Sequence, residues 1–487
     1  ITVDRNLNNS NDVKIVVYAQ DNSDNMSNAY TAIQIDVTQP SIDISYDNNN
    51  GDASFGTSTY FNADRTATIR ITERNFNADD VQITITNTDG TVPAVSNWSS
   101  SAGTGNGDDA VHTATVTYSA DGDYVFAISY ADLAGNTNTD INYRNSAAPE
   151  QFTIDKTVPV INVTYDNNSM QNDNYYNAVR TATISITEHN FDAGRYNIIL
   201  TASDDGADKA APSIGTWSNN GDIHTALVQF TDDGYYSMDM SYTDMAGNQA
   251  AQFTQQTFYV DQTMPRVEVR GIRNNTANNN ETIGFEITCT DTNFDVFTPQ
   301  LSVTKMVDGK NVTENCEINQ MTPIRNGQTY IVDNLEQDGI YSLTCTARDK
   351  AGNVFDRVVY LNDAGQEEDG MEASEGISFL NFSVNRRGSV YTLDSYTDEV
   401  AKYYYVREVD ENLVIVETNV DTLSGYIELN GKKLTEGTDY RVEISGGNGE
   451  WYVVRYIINK ELFAGEGEYK IVAYSEDNAG NTAYSDI

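Results

Sequence analysis

The reading of the fold turns on YYNAVRTATISITEHNF, residues 175–191, and its near-twin YFNADRTATIRITERNF, residues 60–76. In the first, Ala182, Ile184 and Ile186 alternate with Thr181, Thr183, Ser185 and Thr187, the period-two pattern of a strand with one dry face. Further along the same unit, Tyr236, Met238, Met240 and Tyr242 alternate with smaller or polar residues. Gly, Asn and Asp interrupt these runs at intervals of roughly 8–12 residues, as in antiparallel sheets joined by short turns. The pattern predicts strands near 158–165, 180–188, 196–203, 213–218, 223–231, 234–243 and 252–261, and no helix. A third copy has drifted to ETIGFEITCTDTNF, residues 281–294.

Working outward, Asp-x-Ala-Gly-Asn stands at 132–136, 244–248, 349–353 and 477–481, with a degenerate copy at 21–25. Successive copies are roughly 105–128 residues apart, the size of one domain and too long for a solenoid turn. Asp-x-Thr-x-Pro recurs at 36–40, 155–159 and 261–265. These landmarks divide the chain into the last strands of a preceding domain (1–37), three sandwiches (38–156, 157–262 and 263–362), an acidic linker (363–376) and a divergent sandwich (377–487). The start, ITVDRNLNNS, has no signal-peptide pattern, and the chain reads as a segment of something longer.

Composition removes whole classes of function. Of the 487 residues, 72 are Asp or Glu and 29 are Lys or Arg, a formal charge of −43. Nucleic-acid binding needs clustered cations, so no nucleic-acid partner is expected. The sequence has no apolar run long enough for membrane insertion of this segment. Three cysteines exclude a disulfide-dense scaffold or a CxxC zinc site, and three histidines leave little for imidazole chemistry. No Ser, His and Asp set recurs, no Gly-rich phosphate loop follows a strand, and HExxH is missing. Lys–Asn isopeptide bonds fail on supply, since 38–155 contains no Lys and 157–262 only Lys209. No catalytic residues and no enzyme are expected.

Asp-Gly-x-Tyr at 121–124, 233–236 and 338–341 places a Tyr near the start of each sixth strand. With the Thr-x-Pro entry and the Asp-x-Ala-Gly-Asn turn, this resembles the bacterial Ig-like domain repeats of large Gram-positive, adhesin-type cell-surface proteins. The resemblance covers nearly the whole chain and implies an all-β fold of tandem immunoglobulin-like β-sandwiches in an extended array. It implies an extracellular address, at the cell surface or attached to the cell wall. It also implies a non-catalytic stalk and host-ligand binding array, whose partner is a host protein such as an immunoglobulin or a mucin-type glycan. The alternatives are a host immunoglobulin-binding surface protein, or the spacer of a larger extracellular carbohydrate-active enzyme. Aligned on the third copy, Cys289 and Cys345 fall on the second and sixth strands, where Ig domains carry a cross-sheet disulfide. Such a bond would contribute about 4 kcal/mol by chain entropy. Cys316 is left without a role.

The Asp-x-Ala-Gly-Asn turns admit two readings. As hairpins, they need an Asp side-chain cap and a Gly at positive φ. As calcium sites, Asp132 or Asn136 would join Asp155, and Asp244 or Asn248 would join Asp261, placing hard oxygens around an interdomain Ca2+. The hairpin is the preferred reading. Glu73, Glu188 and Asp291 recur in Thr-acid-x-Asn-Phe after each second strand, with turn capping as the expected role. Parity puts His112 and His224 at the mouth of the core. Trp98 and Trp217 are candidate ligand anchors, with packing on a sheet edge the preferred alternative. Asp47 and Asp166 are expected to be solvated.

Overall fold

A computed structural model describes residues 10–49, 59–104, 109–138, 148–394 and 408–485. Six of the seven expected strands of the central unit form; the one expected at 213–218 does not, and Ile214 makes only an isolated bridge to Val228 before the short strand Ser218–Asn220. Val160–Tyr165, Arg180–Thr187, Ile223–Phe230 and Ser218–Asn220 make one sheet, and Tyr175–Tyr176, Gln256–Val260, Gly234–Tyr242, Tyr196–Asp204 and Ala207–Lys209 the other. The alternation in the opening motif is the cause: Ala182, Ile184 and Ile186 are fully buried between the sheets, and Thr183 and Ser185 between them lie on the outer face. The first unit repeats this plan with Ser41–Tyr46, Arg65–Thr72 and Val111–Tyr118 facing Gln82–Asn87, Gly122–Ser129 and Glu150–Ile154. Tyr124, Tyr236 and Tyr341 hydrogen-bond the carbonyls of Ala120, Asp232 and Gln337, four residues upstream, at 2.8, 2.6 and 2.8 Å. This is the tyrosine corner of immunoglobulin-like sandwiches. No helix among the described residues is long and apolar enough to cross a membrane.

The first and second cores each contain an arginine that the sequence pattern did not reveal. Arg180 is 7 % exposed and lies 3.6, 3.9 and 4.5 Å from the rings of Tyr165, Tyr176 and Phe258. Its Nε donates to the carbonyl of Asn167 at 3.0 Å. Arg65 sits in the matching cage of Tyr46, Phe61 and Phe152. The aromatic faces and one carbonyl offset the lost hydration of Arg180, whereas Arg65, bonded to the Asn48 carbonyl at 3.0 Å, also has the Glu150 carboxylate 3.8 Å from an Nη1 that makes no hydrogen bond.

The third unit departs from the expected boundaries. Asp363 to Gly376, read as a linker, carries the strand Glu367–Glu372, which pairs with Arg357–Leu361 at the edge of a six-stranded sheet. The closing strand of this domain is Leu380–Val384, which pairs with Gly339–Asp349 and in parallel with Thr276–Asn278. The acidic residues suit an edge strand because their carboxylates face solvent and arginines: Glu367 lies 2.8 Å from Arg357, and Glu368 contacts Arg273. Val390–Leu393 then opens the fourth sandwich.

Cys289 and Cys345 are buried in facing sheets as free thiols, so the expected disulfide is not formed. Burial pushes the Cys289 thiol up to about 12 and raises that of Cys345 as well. They pack as small apolar groups where the sister domains carry Ile71 and Ile128, or Ile186 and Met240.

Candidate metal centres at the domain junctions

Each Asp-x-Ala-Gly-Asn segment is the expected turn. Asp244 Oδ1 accepts the N–H groups of Ala246 (2.9 Å) and Asn248 (2.8 Å), and its Oδ2 accepts the Asn248 amide at 2.8 Å. Asp132 makes the same three bonds. Gly135, Gly247, Gly352 and Gly480 take φ of 86°, 93°, 83° and 84°, left-handed values that a side chain would strain. The Asn amide also reaches the chain entering the domain. Asn136, Asn248 and Asn353 donate to the carbonyls of Asp36, Asp155 and Asp261 at 3.2, 2.9 and 2.8 Å.

That contact corrects the expected pairing. Asp132 and Asn136 do not gather with Asp155, nor Asp244 and Asn248 with Asp261. Instead, Asp132 lies with Asp36 and Glu73, Asp244 with Asp155 and Glu188, and Asp349 with Asp261 and Asp291. Strand direction is the reason. Gly122–Ser129 pairs with Glu150–Ile154 so that Ile154 faces Gly122. Asp155 therefore leaves at the opposite end of an eight-residue strand from the turn that starts at Asp132, about 25 Å away. The linker acid belongs to the domain it enters.

The third acid of each cluster comes from Thr-acid-x-Asn-Phe. One oxygen of Glu73, Glu188 and Asp291 caps the turn as expected, accepting the N–H of Asn75, Asn190 and Asn293 at 2.8, 2.8 and 2.7 Å. The same asparagines donate their amides to Asp36, Asp155 and Asp261. His112 and His224, buried as parity predicted, stack on Phe76 and Phe191 and bond the carbonyls of Glu73 and Glu188 at 2.8 and 2.7 Å. They position the acid without facing the cluster.

In each cluster the three carboxylates offer oxygens within 4.8 Å of one another, and all nine residues are buried. Anions at this spacing repel by about 4 kcal/mol per pair at an effective dielectric of ~20. Burial pushes Glu188 and Asp291 up to about 7 and Asp349 to about 6, and raises Glu73, Asp244 and Asp261. The degenerate turn at Asp21 is an internal control: it makes the same cap with Asn25 but is exposed, and its pKa is lowered by those hydrogen bonds. Capping alone favours the anion, whereas assembling the cluster opposes it.

The clusters differ in compensation. Arg74 stands 3.5 Å from Asp36 in the first. His189 takes the place of Arg74 in the second domain but pairs with the exposed Asp222 at 3.0 Å, and Thr292 takes it in the third. Arg195 donates to the main-chain carbonyl of Asp244 at 2.7 Å. Glu188 Oε2 is buried without an N–H donor. A set of hard, anionic oxygens with no nitrogen or sulfur donor suits Ca2+.

The other ends of the linkers at 155–159 and 261–265 are held as well. Asp121 accepts the Lys156 N–H (3.1 Å) and the Thr157 hydroxyl (2.9 Å), and Asp233 accepts those of Gln262 (2.8 Å) and Thr263 (2.5 Å). The Asp-Gly-x-Tyr and Asp-x-Thr-x-Pro motifs thus explain one another. Trp98 and Trp217 pack on Phe76 and Phe191, with ring centroids 5.1 and 5.0 Å apart, and Trp217 lines an open cleft with Tyr60, His189 and Phe191. Asp47 and Asp166 cap neighbouring strands through the N–H groups of Thr66 and Thr181, both at 2.7 Å.

Fold and junctions define a tandem array of immunoglobulin-like sandwiches. No family model matches the chain, and no curated protein sequence matches it. Among solved structures, it is similar to the complex of Dpr2 Ig1-Ig2 with DIP-Theta Ig1-Ig3, at 11% identity over 68% of this chain and 98% of that one, with a TM-score of 0.32. It is also similar to the N-terminal eight Ig domains of Down Syndrome Cell Adhesion Molecule isoform 1.30.30, at 10% identity over 98% of this chain and a TM-score of 0.16. The match spans 58% of the latter chain. These likenesses concern the fold alone.

Proposed function

We propose that the chain is a non-catalytic segment of a bacterial surface protein, a stalk and binding array whose first three junctions are set by Ca2+. The observation that carries the cation is the buried Oε2 of Glu188, which meets the Asp155 carboxylate and no N–H donor, inside a three-acid cluster that recurs at each of these junctions. Asp36, Glu73 and Asp132, then Asp155, Glu188 and Asp244, then Asp261, Asp291 and Asp349 would hold the ions, which would neutralise the mutual repulsion of the acids. A linker gripped at both ends suits a stalk, because a projecting rod needs joints that do not swing. Trp217 and its cleft are the surface we assign to a host protein or glycan.

Calcium titration of the full chain by calorimetry, paired with small-angle scattering in Ca2+ and in chelator, tests the reading. Binding to the clusters, with an increase in maximum dimension over the chelated form, is the expected result. Absence of binding, or identical scattering in both states, would refute it. Pull-down from host secretions with the parent and with Trp217→Ala tests the binding surface.

A further inference from the structure

The junction between the third and fourth domains follows the same plan with its acids and amides exchanged. The Asn481 amide donates to the carbonyl of Asn385 at 2.6 Å, the bond that Asn248 makes to Asp155. Asn385 therefore stands where the linker acid stands elsewhere. The Asp421 N–H donates to Asn419 Oδ1 at 3.1 Å, as that of Asn190 does to Glu188. Asn419 thus replaces the third acid, and Asp421 replaces the bridging asparagine. Asp477 is kept.

The exchange turns the centre of the cluster from acceptors to donors. Asn385 Nδ2 lies 2.7 Å from Asn419 Oδ1, 3.2 Å from Asp421 Oδ1 and 2.7 Å from Asp477 Oδ2. Its own Oδ1 accepts the Gly388 N–H at 3.1 Å, which fixes the orientation of the amide. Asn419 Nδ2 donates to Asp477 Oδ2 at 3.3 Å, and the Asn481 amide donates to the same oxygen at 3.0 Å. Asp477 thus collects amide hydrogens from three asparagines on the oxygen with which its counterpart Asp244 binds Asn248. Asn385, Asn419 and Asp477 are 1 %, 0 % and 2 % exposed.

We propose that this junction is a cation-independent copy of the other three. Amide hydrogens fill the space between its acids, and the joint closes without Ca2+. The inference rests on the reading of the first three clusters as Ca2+ sites. A cation entering the fourth would meet N–H dipoles of the wrong sign, and two carboxylates there are already satisfied by hydrogen bonds. The adjoining Arg386 reinforces the joint, donating to the carbonyls of Leu335 (2.6 Å), Asn280 (2.9 Å) and Glu336 (3.2 Å) in the third domain.

Two measurements on the full chain test this. Equilibrium dialysis with Ca2+ compares the parent with the triple variant Asn385→Asp, Asn419→Glu, Asp421→Asn, which restores the acidic pattern. A folded variant should bind one more ion than the parent, and no gain would overturn the inference. Trypsin reads the joints of the parent directly, because Lys156 lies in the first-to-second linker and Arg386 and Arg387 in the third-to-fourth. Chelation should speed cleavage at Lys156 by about tenfold and change cleavage at Arg386 and Arg387 by less than about twofold, since cleavage follows local opening. Equal acceleration at both would overturn it. A parent that binds no Ca2+, with neither cleavage rate changed by chelation, would instead sink the reading of the first three clusters.

Discussion

Replacing Asp291 by Asn should stabilise the third domain when metal is absent and remove most of its response to Ca2+. Burial holds the Asp291 carboxyl at about 7, against an unfolded value near 3.8. The native state therefore keeps a proton that the unfolded chain has released. Stability is fully present below about pH 4 and is lost as pH rises toward 7, the direction linkage assigns to a raised carboxylate. A shift of about 3 units corresponds to at most about 4 kcal/mol at neutral pH. Asn keeps the oxygen that accepts the Asn293 N–H, and Asn419 already does this at the matching place. At roughly 3–5 °C per kcal/mol, calorimetry of the metal-free full chain should place the variant's third-domain transition about 5–15 °C above the parent's, with a flatter pH profile. In Ca2+ the gap should close, since ligand at 1,000 times its Kd adds about 4.1 kcal/mol to the parent alone. A variant less stable than the parent in chelator would refute the reasoning.

Arg180→Ala should cost the second domain about 3 kcal/mol in denaturant unfolding, from the cavity and the lost ring contacts. Arg180→Met should cost much less, because Ile283 fills the corresponding place in the third domain. Tyr236→Phe removes the corner bond to the Asp232 carbonyl and should cost about 1–2 kcal/mol by the same assay; no loss would mean that water satisfies that carbonyl. Cys289 and Cys345 should resist a thiol reagent in native buffer and react only on unfolding, and Cys345→Val should cost less than about 1.5 kcal/mol.

Much of the sandwich was legible because burial follows alternation: Ala182, Ile184 and Ile186 point inward as their spacing requires. Four features were hidden for physical reasons. Sequence order brings Asp132 and Asp155 close along the chain, but antiparallel pairing sends them to opposite poles. Glu367–Glu372 has no apolar alternation because an edge strand at the rim of a sheet needs none, so it reads as a linker. Glu73 and Glu188 satisfy a turn with one oxygen, and nothing in their spacing announces that the other faces two more acids. A signal was available in the recurrence of an acid at that place in all three copies. Arg65 and Arg180 could not be recognised as core residues until the rings around them were placed.

The amide of Asn248, shared between its own turn and the Asp155 carbonyl, shifts where one module ends and the next begins. A fragment cut at the apparent boundary, starting with Thr157, would leave behind the residue that closes its own first loop and would strand Glu188 and Asp244 beside an empty corner. Expression boundaries, and any shuffling of these modules, should carry the linker aspartate with the downstream sandwich.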